Sequence, residues 1–401
     1  MERKFVNETE RFVFSVCERS FLSLWCEANP KGKDGDELCD ILVVCCPHLI
    51  IISVKERQID QENDPNVEHA RWEKKTIEKS LKQIRGAERF LATVSRVVRK
   101  DGTPGLKLPP IADRKVHRIA VAFGGQGEVP IRSGDDGDGY VHVMSETGFK
   151  EILTELDTIT DLTNYLEAKE SSSASGCAKL IMGSEADLLA LYLFNDRSFP
   201  SADFMLVDNT HWSGLRERTD YQLKKKAEEA SYYWDRLIGV YAGPNRELLG
   251  EPDERLEGTE LMLRTMARES RFFRRMLGRS LVEFFEKARA NGPGSRSIRS
   301  PSGTIYVFVY FDPSTEREAR CNGIGNRCYL ARHTFREGTT VIGFGFMEDE
   351  SGSIDPCEFA YLDTSDWSPE DEKEWGDVKA KINYDEKFKQ QQFDEDEYPR
   401  A

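Results

Sequence analysis

Apolar side chains recur every three or four residues from Phe5 to Cys26, with Phe14, Cys17, Phe21 and Trp25 on one stripe and Glu10 in line with them. That spacing predicts a helix, which Asn29 and Pro30 stop. A polar turn, KGKDGD, leads into the run LCDILVVCC, and a turn at Pro47 and His48 separates it from LIIISVK. Two short apolar runs around a proline-containing turn predict a β-hairpin buried on both faces. Beyond the acidic connector ERQIDQENDPN, the positions Ile77, Leu81, Ile84 and Phe90 mark a long helix from about Val67 to about Arg99, ended by glycine and proline at 102–105. HRIAVAF at 117–123 is a further buried strand. A Gly-rich loop, the short strand YVHVM, a helix from about Thr147 to Leu156 and helical turns to Lys169 follow.

The stretch ESSSASG at 170–176 has the composition of a flexible linker. The expected division is a first domain at 1–169, a linker at 170–177, a second domain at 178–384 and a tail at 385–401. In the second half the pattern predicts a short helix in ADLLALYLF, a loop containing Pro200 and His211, and helices near 217–240 and 256–291. After a Gly/Ser-rich break come two strands, TIYVFVYF at 304–311 and TTVIGFGF at 339–346. No internal repeat is visible. The order helix, hairpin, helix, strand, helix predicts a mixed α/β layered fold for the first half, followed by a largely helical α+β domain.

A length of 401 residues suits two or three domains, and 39 % hydrophobic side chains exclude wholesale disorder. No apolar run approaches the ~18–20 residues that span a bilayer, so no membrane partner is expected. MERKFVNETERF carries acids and no apolar stretch and is not read as a secretory signal. Nine scattered cysteines suit reduced thiols in a cytoplasmic protein. The net charge of −15 argues at face value against nucleic acid, but it is unevenly spread. Residues 68–117 hold 13 Lys/Arg against 6 Asp/Glu, and residues 261–301 hold 10 against 3. Residues 346–401 hold 18 acids and 6 bases, which reads as a solubilising end, disordered beyond Tyr384.

Side chains alternate along a strand, so Asp40, Leu42 and Val44 share one side, as do Ile51, Ser53 and Lys55. Pairing through the turn then brings Asp40 near Ser53 and Lys55. An acid and a lysine at the ends of apolar strands must be paired or metal-bound, so the two readings are a salt bridge closing the hairpin and a divalent-metal site. Hard oxygen ligands beside one lysine suit Mg2+ or Mn2+.

Glu10 on a helix, GDELCDILVV with Asp40, and IIISVKE with Lys55 occur in an order that resembles the PD-(D/E)xK nuclease superfamily, in its nuclease-related-domain and type IV restriction (Mrr-like) branches. The resemblance covers roughly residues 5–125. It implies a restriction-endonuclease-like αβ core and metal-dependent hydrolysis of phosphodiester bonds, in DNA ahead of RNA, in bacterial restriction, defence or DNA processing. Asp40 would be the principal metal ligand, and Lys55 would stabilise phosphate or orient water. The next helix, WEKKTIEKSLKQIRGAERF, places Lys75, Lys79 and Gln83 on one face, with Gln83 similar in position to the family's glutamine. Where the family has Asp or Glu two residues before the lysine, this chain has Ser53. A second carboxylate must then come from Glu10 or Glu37, since Glu56 points away. If none arrives, the domain is a non-catalytic binding protein on the same scaffold.

Helix 256–291 alternates a broad apolar stripe with Arg264, Arg268, Arg271, Arg274, Arg275 and Arg279. Arg268, Arg271 and Arg275 would grip phosphates there, or the helix would dock on the acidic C-terminal region. That acidic tail, or the second domain as a whole, is alternatively a surface for a protein partner. The remaining signals are weak. GDDGDGY lacks the acids of a calcium loop, AFGGQGE is not followed by a helix, and Cys321 with Cys328 has the wrong spacing for zinc. The histidines, among them His48, His69, His117 and His142, are dispersed and read as structural or surface groups.

Overall fold

The computed structural model describes residues 8–22, 24–60, 62–125, 133–135, 137–174, 178–181, 183–202, 204–243, 254–384 and 395–399. They fall into two compact units, Met1–Gln222 with Ala242–Glu257, and Leu223–Tyr241 with Gly258–Ala401.

The first unit is built on a mixed sheet. Helix α1 (Glu8–Phe21) precedes β1 (Cys26–Ala28), β2 (Ile41–Cys45) and β3 (His48–Glu56). After α2 (Pro65–Glu73) and α3 (Lys79–Leu91) come β4 (Arg96–Val98), β5 (Pro104–Lys107), β6 (Lys115–Phe123), β7 (Gly134–Asp135) and β8 (Tyr140–Ser145). The strand order is β1-β2-β3-β6-β8-β7. The pairs β1/β2 and β2/β3 are antiparallel, β3/β6 and β6/β8 parallel. Leu42, Val44, Leu49, Ile51, Ala120 and Ala122 form one face and pack on Trp72, Ile84, Ala87 and Leu91 of α2 and α3. On the opposite face, His142 of β8 meets Glu170 of α5 (Ile159–Ala174), and α1 bonds to α4 (Glu146–Glu155) through Ser20 Oγ and the Leu153 carbonyl at 2.8 Å. The unit is therefore a sheet between two helical layers.

Two expectations change here. The long helix ends at Leu91 rather than near Arg99, with one turn of π-helix at Lys74–Glu78 between α2 and α3. Arg96–Val98 instead pairs with Pro104–Lys107, because Val97 and Leu106 bury in the α3 cluster and the β-branched run alternates in and out. The linker expected at 170–177 is helical as far as Ala174, and 175–177 lie outside the described residues. Helix α5 buries Tyr165, Leu166 and Lys169, and the first unit runs on to Gln222. That extension holds a parallel pair, β9 (Ala178–Ile181) with β10 (Phe204–Val207), α6 (Glu185–Phe194), α7 (His211–Glu217) and the start of α8 (Thr219–Glu228).

The second unit contains α9 (Tyr232–Ala242) up to Tyr241, most of α10 (Glu254–Ala267), α11 (Arg271–Asn291), and a sheet of β11 (Gly294–Arg299), β12 (Ile305–Tyr310), β13 (Thr340–Glu348) and β14 (Ile354–Asp363). Its two central strands are parallel, joined by α12 (Arg317–Thr334), and α13 (Pro369–Lys381) follows β14. The helix expected across 256–291 is broken at 268–270. Glu269 turns inward there to accept hydrogen bonds from Ser300 Oγ (2.8 Å), Ser302 Oγ (3.1 Å) and Tyr306 OH (2.8 Å). Helix α12 packs against β13 at Gly343, where a Cβ would lie 2.5 Å from both Cys328 Sγ and Ile324 Cγ2. Gly343→Ala is therefore expected to destabilise this unit by about 1–3 kcal/mol, read as a lower urea midpoint at unchanged slope.

No helix among the described residues is long and apolar enough to cross a membrane. The described cysteines are free thiols.

Candidate active site

Leu42 pairs with Ile51 across the hairpin, so Asp40, one residue before β2, falls opposite Ser53 and diagonal to Lys55. Asp40 is 2 % exposed. Its Oδ2 accepts the Val54 N–H (2.7 Å) and Lys55 Nζ (3.0 Å). Lys55 also reaches Asp40 Oδ1 (3.3 Å) and the Val54 carbonyl (3.1 Å). The ion pair that closes the hairpin is present.

Two further carboxylates join it. Glu10, in the first turn of α1, is 5 % exposed, and its Oε2 lies 3.3 Å from the Asn29 side-chain amide. The Asn29 main-chain N–H donates to the Asp40 carbonyl (2.9 Å), which ties the loop after β1 to the same point. Glu37 is exposed as a residue, but its carboxyl is turned toward Asp40 and shares a hydrogen bond with it. Partial desolvation, then the charges of Asp40 and Glu10, push Glu37 up to about 7, only partly offset by Lys55. Three acids therefore crowd one lysine. The Cys39 thiol is pushed well up by burial and by the same acids.

Ser53 is fully buried and does not join this group. Its Oγ donates to Gln83 Oε1 (2.7 Å) and lies 3.1 Å from Ser80 Oγ, so the strand positions Gln83 rather than a metal. Glu56 is on the other face, hydrogen-bonded by Thr9 of α1. Asp40, Lys55, Glu10 and Glu37 thus come together, and Gln83 stands beside them through Ser53. An open cleft of about 530 Å³ begins at Glu37 and Lys55 and is lined by Gln83, Lys79, Lys82 and Lys33. Lys75 is exposed on the π-helical turn and is not among the lining residues. Lys82 and Lys33 were not anticipated, although Lys82 directly precedes Gln83 and Lys33 lies in the KGKDGD turn.

The arginines of the second unit are mostly committed to the protein itself. Arg271 is buried, with Nη1 on Asp235 Oδ2 (2.7 Å) and Ser231 Oγ (3.0 Å), and Arg274 holds Asp235 Oδ1 (2.7 Å). Burial pushes the Asp235 carboxyl up, but the two guanidiniums outweigh it and hold it below the usual range. Arg275 is fully buried, and its guanidinium donates to the carbonyls of Asp396 (2.9 Å) and Glu397 (3.2 Å). Arg279 pairs with Glu395. The acidic C-terminal segment therefore docks on α11 where it is described, at 395–399, while 385–394 lie outside the described residues. Of Arg268, Arg271 and Arg275, Arg268 alone is exposed. Of the two readings of this helix, the contacts of Arg275 and Arg279 with 395–397 are those of docking on the acidic C-terminal region, while Arg268 stays exposed.

Sequence reasoning also missed a second polar group in the first unit. His48, His117 and Glu167 bring ligand atoms within 4.8 Å of one another. Their only advance signal is that two histidines stand at or near the starts of two strands, β3 and β6.

Neither family models, curated proteins nor solved structures yield a match to this chain.

Proposed function

We propose that the first unit is a divalent-metal-dependent nuclease with a restriction-endonuclease-like core, hydrolysing phosphodiester bonds in DNA ahead of RNA. The observation that carries this reading is the convergence of Asp40, Glu37 and Glu10 with Lys55 at the mouth of a lysine-lined cleft. The helix, antiparallel strands, helix and parallel strand that build the site support it, since they follow the element order of the PD-(D/E)xK resemblance.

Three carboxylates against one lysine leave a surplus of negative charge and a set of hard oxygen donors, which fits Mg2+ or Mn2+. Asp40 and Glu37 would hold the ion, with Glu10 beside them. Bound there, such an ion supplies charge for the phosphate oxygens and lowers the pKa of an attacking water. Lys55, fixed by Asp40 and by the Val54 carbonyl, presents its ammonium to the cleft, where it stabilises charge developing on the phosphate. Lys79, Lys82 and Lys33 neutralise backbone phosphates, and Gln83, held by Ser53, positions the strand. The free thiols fit a reducing, cytoplasmic setting.

The test is cleavage of plasmid, single-stranded DNA and RNA with Mg2+ or Mn2+. A wild-type protein inactive on every substrate would favour the second reading, a non-catalytic protein that binds nucleic acid or another protein. The engagement of Ser53 with Gln83, in place of an acid two residues before Lys55, is the observation on that side. Under either nucleic-acid reading, Lys79→Glu with Lys82→Glu should weaken DNA binding uniformly across sequences. It should also flatten the dependence of log affinity on log salt by about 0.9 for each phosphate that is no longer neutralised.

A further inference from the structure

We propose that His48, His117 and Glu167 form a separate site for a zinc-class divalent ion, at the end of the sheet away from Asp40. Strand β3 runs from His48 toward Lys55, so seven residues at roughly 3.3 Å each put the two sites about 23 Å apart. His48 is paired with Lys115 and Ile50 with His117 in the parallel β3/β6 register. The two histidines are therefore diagonal neighbours on the face covered by α5, which brings Glu167 over them.

The geometry is close to that of a ligand set. His48 Nδ1 lies 3.0 Å from His117 Nε2, and the carboxylate oxygen completes a group within 4.8 Å. Two nitrogens bound to one tetrahedral zinc at about 2.0–2.1 Å are separated by roughly 3.3 Å, so the imidazoles are already near bonding separation. The two facing nitrogens are within hydrogen-bond distance of each other, and an ion would take the place of that hydrogen bond and use a lone pair from each ring. Burial, then His48, His142, Lys115 and Arg118, push His117 down to about 3, which leaves its imidazole neutral. His48 is half-buried and the Glu167 carboxylate reaches the surface, so an ion can enter from solvent and keep a water as fourth ligand.

Two features oppose binding. Lys115 Nζ lies 3.0 Å from Glu167 Oε1 and must swing aside, which its exposure permits. His117 Nδ1 is buried without a hydrogen-bond partner and would have to carry the proton. Imidazole nitrogens with one carboxylate favour zinc, cobalt or nickel over magnesium, which separates this site from the acidic one by ion type.

The experiment titrates Co2+ and then Zn2+ into the chelator-treated full chain, following the visible absorption of tetrahedral cobalt and the zinc stoichiometry. One tetrahedral cobalt per chain is expected, distinct from an octahedral ion at the acidic site, retained in Asp40→Asn and weakened roughly 10–100-fold in His48→Gln and in Glu167→Gln. Neither of those two side chains is fully buried, so folding is preserved and can be checked by circular dichroism. Lys115→Met is expected to tighten binding. No cobalt spectrum in the wild type would overturn the site. So would binding undiminished by His48→Gln and Glu167→Gln, or binding lost in Asp40→Asn. None of these outcomes depends on whether the chain cleaves nucleic acid.

Discussion

Asp40→Asn is expected to reduce Mg2+-dependent cleavage by roughly 10²–10³-fold, the scale of removing one preorganised charge-stabilising group, while the protein stays folded. The amide can still accept the Val54 N–H that Asp40 Oδ2 holds at 2.7 Å, so the hairpin end keeps its main-chain hydrogen bond. What disappears is the charge that anchors Lys55 and would hold the ion. Lys55→Ala is expected to cost a similar factor in turnover while leaving metal affinity intact or higher, because a competing positive charge leaves the acidic group. Single-turnover cleavage together with Mn2+ binding separates the two roles. Cleavage that survives both substitutions would remove the site from the reaction altogether.

The second large effect is on pH. Glu37 sits at about 7 in the metal-free protein, against an ordinary value of 4.5. The folded chain therefore keeps a proton that the unfolded chain releases between those values. By linkage, this group makes metal-free stability fall as pH rises from about 4.5 to about 7. Metal binding requires the ionised form, so Mn2+ affinity should rise about tenfold per unit below pH 7 and level off above it. Glu37→Gln is expected to flatten both profiles. The variant should melt higher than wild type at pH 8 without metal, near wild type at pH 4, and should respond weakly to Mn2+ at either pH. Parallel profiles for the two proteins would show that Glu37 is not the titrating group.

The hairpin and its polar end were legible because a period of two assigns faces. Once Leu42 and Val44 share a side with Ile51, Asp40 and Lys55 meet. Glu37 and Glu10 could be offered as candidates but not chosen, since a loop and a helix reach the cluster by tertiary packing. In the second unit the misses have local causes. Strand β14 carries Pro356 and scattered acids, which a sheet edge tolerates beside the register shift at Phe344–Phe346. Helix α12 includes Gly323 and Gly325, and α13 is charged nearly all round and buries nothing, so neither shows a clear apolar stripe. For the arginines of α11 the sequence left a phosphate face and docking on the acidic end both open, because a charge count cannot show that Asp235 and residues 395–397 return to them.

The chain enters the second unit at Leu223, leaves it at Ala242 and re-enters at Gly258. Neither body can therefore be released by a single cut. Protease cleavage in one connection would leave two fragments still associated, as a nicked molecule. A fragment ending at Gln222 would lack the 242–257 return segment, and one beginning at Gly258 would lack the helix that carries Trp234, which packs edge-on to Tyr306 at 4.9 Å. Activity assigned to one body should accordingly be sought in the whole chain.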